Sequence, residues 1–430
     1  MKKKKSHDKF AIVIAMMIVF FVAMSTLNVW QADIEIENIT SKQEKVSFGW
    51  WGNDERHHYT LQALDLFEKD NPDIKVSYSF GVWDGYERRN RIYMLSGTEP
   101  DVMQINYNWL NEYSFDGKGY YDINKLRNSI DLSGYRELDL SYGMMNGKLN
   151  AIPIAYNSIM CGYNVDIFKR YQMDIPKTWD DLFAAAKVMK RDGIYPMGIG
   201  KKHLFMVLMA HYEQESGKKI FNEKGEYIGD EKAMKSMLEF GKKLLDEKVI
   251  PYYDGFGVDS FSSGKCAGVM YWASDAGRYN DKLEEKGMKS VVEYPPVMNN
   301  SQLYGWYVKP ATMYAIRKNI EDENAAANLL NFLINNSEMI KLQGTEKGIP
   351  INKHAREVLA KENMLEGAVA QAGFMIFKIV DKTSNMIPSM EKAEILDAFK
   401  DVSDRYFFEK ENLDNSAKMM NDRFIKILEN

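Results

Sequence analysis

From residue 45 onward the chain alternates between segments with the two-residue period of a strand and segments with the period of a helix. "KVSFGWW" (45–51) reads as a strand. "HHYTLQALDLFEKDNP" (57–72) reads as a helix, with Leu61, Leu64 and Phe67 on one face and Asn71-Pro72 ending it. "IKVSYSF" puts Ile74, Val76, Tyr78 and Phe80 on one side of a second strand. "GYERRNRIYMLSG" is a further helix and "PDVMQIN" a third strand. Parallel strands need crossover connections, and helices supply them, so the alternation predicts an α/β fold with a mostly parallel sheet covered on both faces.

A second unit begins near "SIMCGYN" (158–164). Its helix "TWDDLFAAAKVMK" opens with Thr178 and carries Asp181 three residues on, a capping-box pattern. "YPMGIG" is a short strand, "DEKAMKSMLEFGKKLLDEK" a long amphipathic helix, and "CAGVMYW" an apolar strand ending in Trp272. The last third, from Asn324, is mainly helical. With 430 residues the chain exceeds what one ordinary core supports, so two domains are expected. No Pro/Ser-rich linker separates the units, which implies close contact and more than one crossing of the chain between them.

The N-terminus has its own signature. "MKKKK" is basic, and an apolar run follows from Phe10 to Met24, as in a secretory signal or a single membrane anchor. No cysteine follows the run, so a lipid anchor is not expected. Residues 1–32 are assigned to this leader and 33–43 to a polar linker; the body then lies outside the cell, with the lysines left in the cytoplasm. The net charge of −5 argues against nucleic acid as the partner. Two cysteines, Cys161 and Cys266, cannot build a disulfide framework or a thiolate metal cluster, and both sit in apolar runs as free thiols do.

Where the tryptophans fall carries the functional expectation. Trp50, Trp51, Trp109, Trp272 and Trp306 lie at or just beyond expected strand ends, and Trp83 lies in the loop "GVWDGY". In open α/β sheets ligands bind outside the carboxyl ends of strands. Aromatic rings there, with amide and charged groups nearby, suit a sugar: ring faces pack on C–H groups while polar side chains bond hydroxyls. His57 and His58 are adjacent and point about 100° apart on a helix, so they do not form a zinc pair, and no metal or cofactor is expected. Asp54 and Glu55 are too close in sequence to flank a scissile bond, and Asp54 is expected to cap the following helix. No P-loop, G-x-S-x-G or G-x-G-x-x-G motif occurs.

In order, the chain shows a leader, "WWGNDERH", "FEKDNPDIKV", "GVWDGY", "SGTEPDVMQINYNWL" and "GKLNAIPIAYNSIMCGYNVDIFKRY". Then come "IPKTWDDLFAAAKVMK", "FSSGKCAGVMYW", "AAANLLNFLIN" and "GIPIN". In this series it resembles the bacterial extracellular solute-binding proteins of ABC sugar importers, family 1, the group that includes maltose-binding protein. The resemblance implies a two-lobe fold of the periplasmic-binding-protein type (type II), with a hinge and a ligand cleft between the lobes. It places lobe 1 at 44–156 and 306–345, and lobe 2 at 157–305 and 346–430.

It also implies a monomeric, non-enzymatic binder of a neutral oligosaccharide. This binder would deliver its ligand to a permease of two transmembrane subunits powered by a separate cytoplasmic ATPase. The expected ligand-binding residues are Trp50 or Trp51, Asp54, Arg56, His57, Trp83, Asp84, Asn106, Trp109, Tyr163, Trp272, Asp275 and Trp306. The alternatives are a secreted polysaccharide-degrading enzyme and a binder of peptides or polyamines.

Overall fold

A computed structural model describes residues 44–222, 225–252 and 256–429. The expected leader and linker lie outside the described residues. Among the described residues, no helix is long and apolar enough to cross a membrane.

Among the described residues, nine strands form one connected system: β1 (Glu44–Trp51), β2 (Ile74–Gly81), β3 (Val102–Ile105), β4 (Ala151–Asn164), β5 (Gly198–Ile199), β6 (Gly268–Trp272), β7 (Ser290–Glu293), β8 (Tyr307–Ile316) and β9 (Ser384–Asn385). Their order is β2-β1-β3-β8-β4-β6-β5, with β9 beside β8 and β7 beside β4. β1 runs parallel to β2 and β3, as the strand–helix alternation requires. The helices between them are α1 (Asp54–Asp70) and α2 (Trp83–Ser96). A short α3 (Asn108–Ser114) follows β3.

β4 joins the lobes. Its residues up to Ser158 pair antiparallel with β8, and those from Ile159 onward pair with β6 and β7. All of "AIPIAYNSIMCGYN" is buried, which its nearly unbroken apolar sequence allows. The β4–β8 register shifts between Pro310 and Met313, and Met313 stands opposite Pro153. Neither proline can donate to a ladder, so a bulge is the local solution.

One apolar core gathers Val46, Phe48, Trp50, Leu64, Phe67, Ile152 and Leu330 in lobe 1. A second gathers Trp179, Phe205, Leu238, Met270, Phe399 and Phe424 in lobe 2. Three helices of lobe 2 matter below: α4 (Trp179–Met189), α5 (Lys201–Ser216) and α6 (Glu231–Asp246). α4 opens with the expected Thr178–Asp181 capping box. α1 is capped one residue earlier than expected. Asn53 holds the cap and its Oδ1 accepts from the Arg56 N–H at 3.0 Å, while Asp54 is already inside the first turn. Cys161 and Cys266 are free and buried.

Candidate ligand cleft

The lobe 1 wall grows from the end of β1. Successive strand residues face opposite ways, and here that separates two tryptophans. Trp50 turns into the core: it is fully buried, stacks on Phe48 and Phe80 with centroids at 5.1 and 4.9 Å, and donates its Nε1–H to His57 Nδ1 at 3.2 Å. The expectation that it could contact ligand is therefore corrected. Trp51 turns the other way and is half-buried. Its ring lies 5.1 Å from Trp83, 5.5 Å from Tyr86 and 5.8 Å from Trp109.

Trp83 is half-buried and packs nearly parallel to Trp109, at 5.8 Å and 15°. Trp109 is itself fully buried, so it backs the platform rather than forming its surface. This corrects its assignment as a ligand contact. The side chain of Asp84 lies outside the described residues.

The first turn of α1 supplies polar groups beside this platform. Asp54 is exposed. Arg56 directs Nη2 to the backbone oxygen of Glu346, with its Nε 3.7 Å from the Glu346 carboxylate. His57 is half-buried, held by Trp50 and tilted at 35° against Phe80 with centroids at 4.4 Å; burial lowers its pKa, against a smaller opposite effect of Asp54. Asn106 is half-buried and receives a local N–H bond from Asn108 at 3.4 Å.

The lobe 2 wall grows from the ends of β5 and β6. Trp272, the last residue of β6, is half-buried. Lys309 Nζ lies over its ring at 4.6 Å from the centroid, Lys202 Nζ at 5.9 Å, and the His203 ring meets it edge-on at 5.7 Å. Both lysines pair with the buried carboxylate of Glu391. Burial acts to raise the pKa of Glu391, but Lys309 and Lys202 reverse this and pull it down to about 2. The His203 imidazole is pushed down to about 4 by burial, with both lysines adding to the effect. Asp275 is half-buried, and its pKa is raised by burial against the pull of Arg278 and of Arg56 from the other lobe.

Two other expected contacts belong to the core of lobe 2. Tyr163 is fully buried and packs edge-on against Phe168 at 5.5 Å. Trp306 precedes β8 instead of ending a strand, is 1% exposed, and donates Nε1–H to the Pro296 oxygen at 2.9 Å. Both assignments are corrected.

The walls meet at the hinge. Asn157 Nδ2 donates to Ser274 Oγ at 3.1 Å, and the Ser274 N–H donates to Asn157 Oδ1 at 3.3 Å. α3 of lobe 1 packs against the turn at 388–391 that carries Glu391. Lys202, His203, Lys309 and Glu391 were missed from the sequence. "GKKH" directly follows the strand "YPMGIG", so the strand-end rule applied to the tryptophans also selects Lys202 and His203. Lys309 and Glu391 have no such local signal, because only the tertiary fold brings them to Trp272. Among the described residues, no group of three or more His, Cys, Asp or Glu side chains is placed to hold a metal ion.

Comparison with known proteins agrees with this architecture. The chain is similar to an uncharacterized ABC transporter extracellular-binding protein of Pyrococcus horikoshii, 26% identical over 47% of this chain and 49% of that protein. The chain thus spans about half the length of that curated relative. A solved periplasmic oligogalacturonide binding protein from Yersinia enterocolitica, in complex with saturated digalacturonic acid, superposes with a TM-score of 0.80 at 28% identity, covering 90% of this chain and 99% of that one. A designed cysteine esterase shares the fold with a TM-score of 0.83 at 28% identity, covering 91% and 99%. Residues 57–340, more than half of the chain, match the family model for bacterial extracellular solute-binding proteins, and the protein belongs to that family.

Proposed function

We propose that the protein captures an oligosaccharide of two or more sugar units outside the cell and leaves it chemically unchanged. Its lobes close around the ligand, and the closed form is presented to an ABC permease of two transmembrane subunits driven by a separate ATPase. The observation that carries this proposal is the pair of partly open aromatic walls, Trp51 with Trp83 on lobe 1 and Trp272 on lobe 2, on either side of one hinge. Each ring stacks roughly one sugar. Asp54, Arg56, Asn106 and Asp275 supply bonds to hydroxyls, and His57 serves through its hold on Trp50.

The Yersinia neighbour's oligogalacturonide ligand supports a sugar chain as the cargo. The protein acts as a monomer, held at the membrane or released according to the fate of residues 1–32. We assign 44–156 and 310–361 to lobe 1 and the rest of the body to lobe 2; the return starts at 310 because Trp306 and Tyr307 lie in the lobe 2 core and Pro310 stands opposite Tyr156. The last boundary is moved from 345 because Ala355 and Leu359 pack against Ile340, and Asn352 donates to the Ile334 oxygen at 2.9 Å.

Thermal unfolding against a glycan panel tests the proposal, since a ligand bound only by the native state raises the melting temperature. At least one oligosaccharide should raise it and be recovered intact by chromatography. Shorter products that vanish on mutating one cleft carboxylate would establish the enzyme instead.

A further inference from the structure

We propose that the sugar chain this cleft takes is acidic, a uronic-acid oligosaccharide whose carboxylate is received by Lys202 beside Trp272. This rests on the oligosaccharide assignment above and replaces the neutral ligand expected from the sequence. The charge around Trp272 is unbalanced: two ammonium groups, Lys202 and Lys309, share the single carboxylate of Glu391. Lys309 and Glu391 are nearly enclosed, with side-chain exposures of 10% and 9%, so they satisfy one another. Lys202 keeps 43% of its side chain exposed and carries the excess positive charge to the cleft.

The neighbouring lysine is committed elsewhere: Lys201 pairs with Asp404 and donates to Ser403 Oγ at 3.1 Å. Two further features favour an anion at this point. α5 begins here without a side-chain cap and without an acid in its first turn, so its N-terminal N–H groups add to the positive potential. His203 Nε2 is a buried ring nitrogen without a hydrogen-bond partner, and in the Nε2–H tautomer it donates toward such an anion.

A neutral sugar closing over Trp272 would strip water from the excess ammonium and give it no counter-charge. That is a cost, and a carboxylate converts it into a charge-assisted hydrogen bond. Uronic-acid rings keep the C–H face that stacks on indole and add the carboxylate at the ring edge. Stacking on Trp272 and pairing with Lys202 are therefore compatible in one sugar unit.

The experiment titrates the protein with short oligomers of galacturonic, glucuronic and mannuronic acid, and with the carboxyl-reduced counterpart of each. At least one acidic oligomer should bind about tenfold or more tightly than its reduced counterpart, with the advantage shrinking as salt is raised past about 0.5 M. Lys202→Met should abolish most of that advantage while leaving the melting temperature of the free protein in place, since its side chain is partly exposed. Reduced or other neutral glycans binding as well as the acids would overturn the proposal and leave the oligosaccharide assignment standing. An acid preference that survives in Lys202→Met would overturn the assignment of the carboxylate to this lysine. Binding of no glycan at all would remove both.

Discussion

Trp50 and Trp51 are adjacent, and the side of the strand each one faces decides what it does. Replacing Trp50 with Ala should lower stability by about 3–5 kcal/mol, the cost of emptying a packed aromatic site. Replacing Trp51 with Ala should leave the melting temperature nearly unchanged and weaken ligand binding by about 2–4 kcal/mol, about 30- to 1,000-fold. Chemical denaturation and titration calorimetry on the two variants separate these outcomes. Trp272→Ala belongs with Trp51→Ala. The period of two shows that one of the adjacent tryptophans faces away from the core, but only the packed sheet says which. Trp109 and Trp306 depart from expectation for a related reason: position near a strand end does not reveal that other rings cover them.

Titration offers another residue-scale test. His211 is 9% exposed, stacks flat on Phe240, and has its pKa pushed down to about 4 by burial, with Lys243 adding to the effect. A histidine whose folded pKa lies below its unfolded value near 6.5 favours the native state less as pH falls between those values. Relative to His211→Gln, the parent should therefore lose up to about 1.4 kcal/mol of stability per pH unit from about pH 6.5 to 4. Above about pH 7 the difference should be flat. A constant difference across the whole range would show that the ring is not held neutral by burial.

Among the elements, the start of α1 is the most instructive. The sequence "GNDERHH" contains two adjacent side chains able to cap a helix, Asn53 and Asp54, and Asp54 is the expected one. Asn53 holds the position through its bond to the Arg56 N–H. Asn53→Ala should cost about 1 kcal/mol in stability, and Asp54→Ala only a few tenths through the loss of a favourable charge near the helix N-terminus. Denaturant titration of both variants checks the order, and a larger loss for Asp54→Ala would restore the first assignment. The strand–helix alternation of residues 45–106 and the capping box at Thr178 were legible because each is a short-range pattern. The way β4 passes from β8 to β6 was not, because pairing partners more than 100 residues apart leave no local period. There the family resemblance supplied what the pattern could not.

At the scale of the whole molecule, each lobe has its own core, and a third apolar cluster runs along the long buried strands from Met103 and Trp109 through Tyr156 and Met160 to Val269 and Leu283. A bulge lies where Pro153 and Pro310 remove ladder donors. Rotation at such a joint leaves the core of each lobe packed and shifts contacts within the shared cluster. Small-angle scattering should show the radius of gyration fall when ligand is added, and an unchanged curve at saturating ligand would argue for a rigid cleft.

On the proposed function, this cleft binds a sugar chain and does nothing else to it. Titration calorimetry of the protein with the oligosaccharide that most raises its melting temperature, followed by chromatography of the recovered sugar, tests that directly. One ligand per chain, affinity that collapses in both Trp51→Ala and Trp272→Ala, and sugar returned at its original length are expected. Affinity untouched by both substitutions, or sugar returned in shorter pieces, would contradict it.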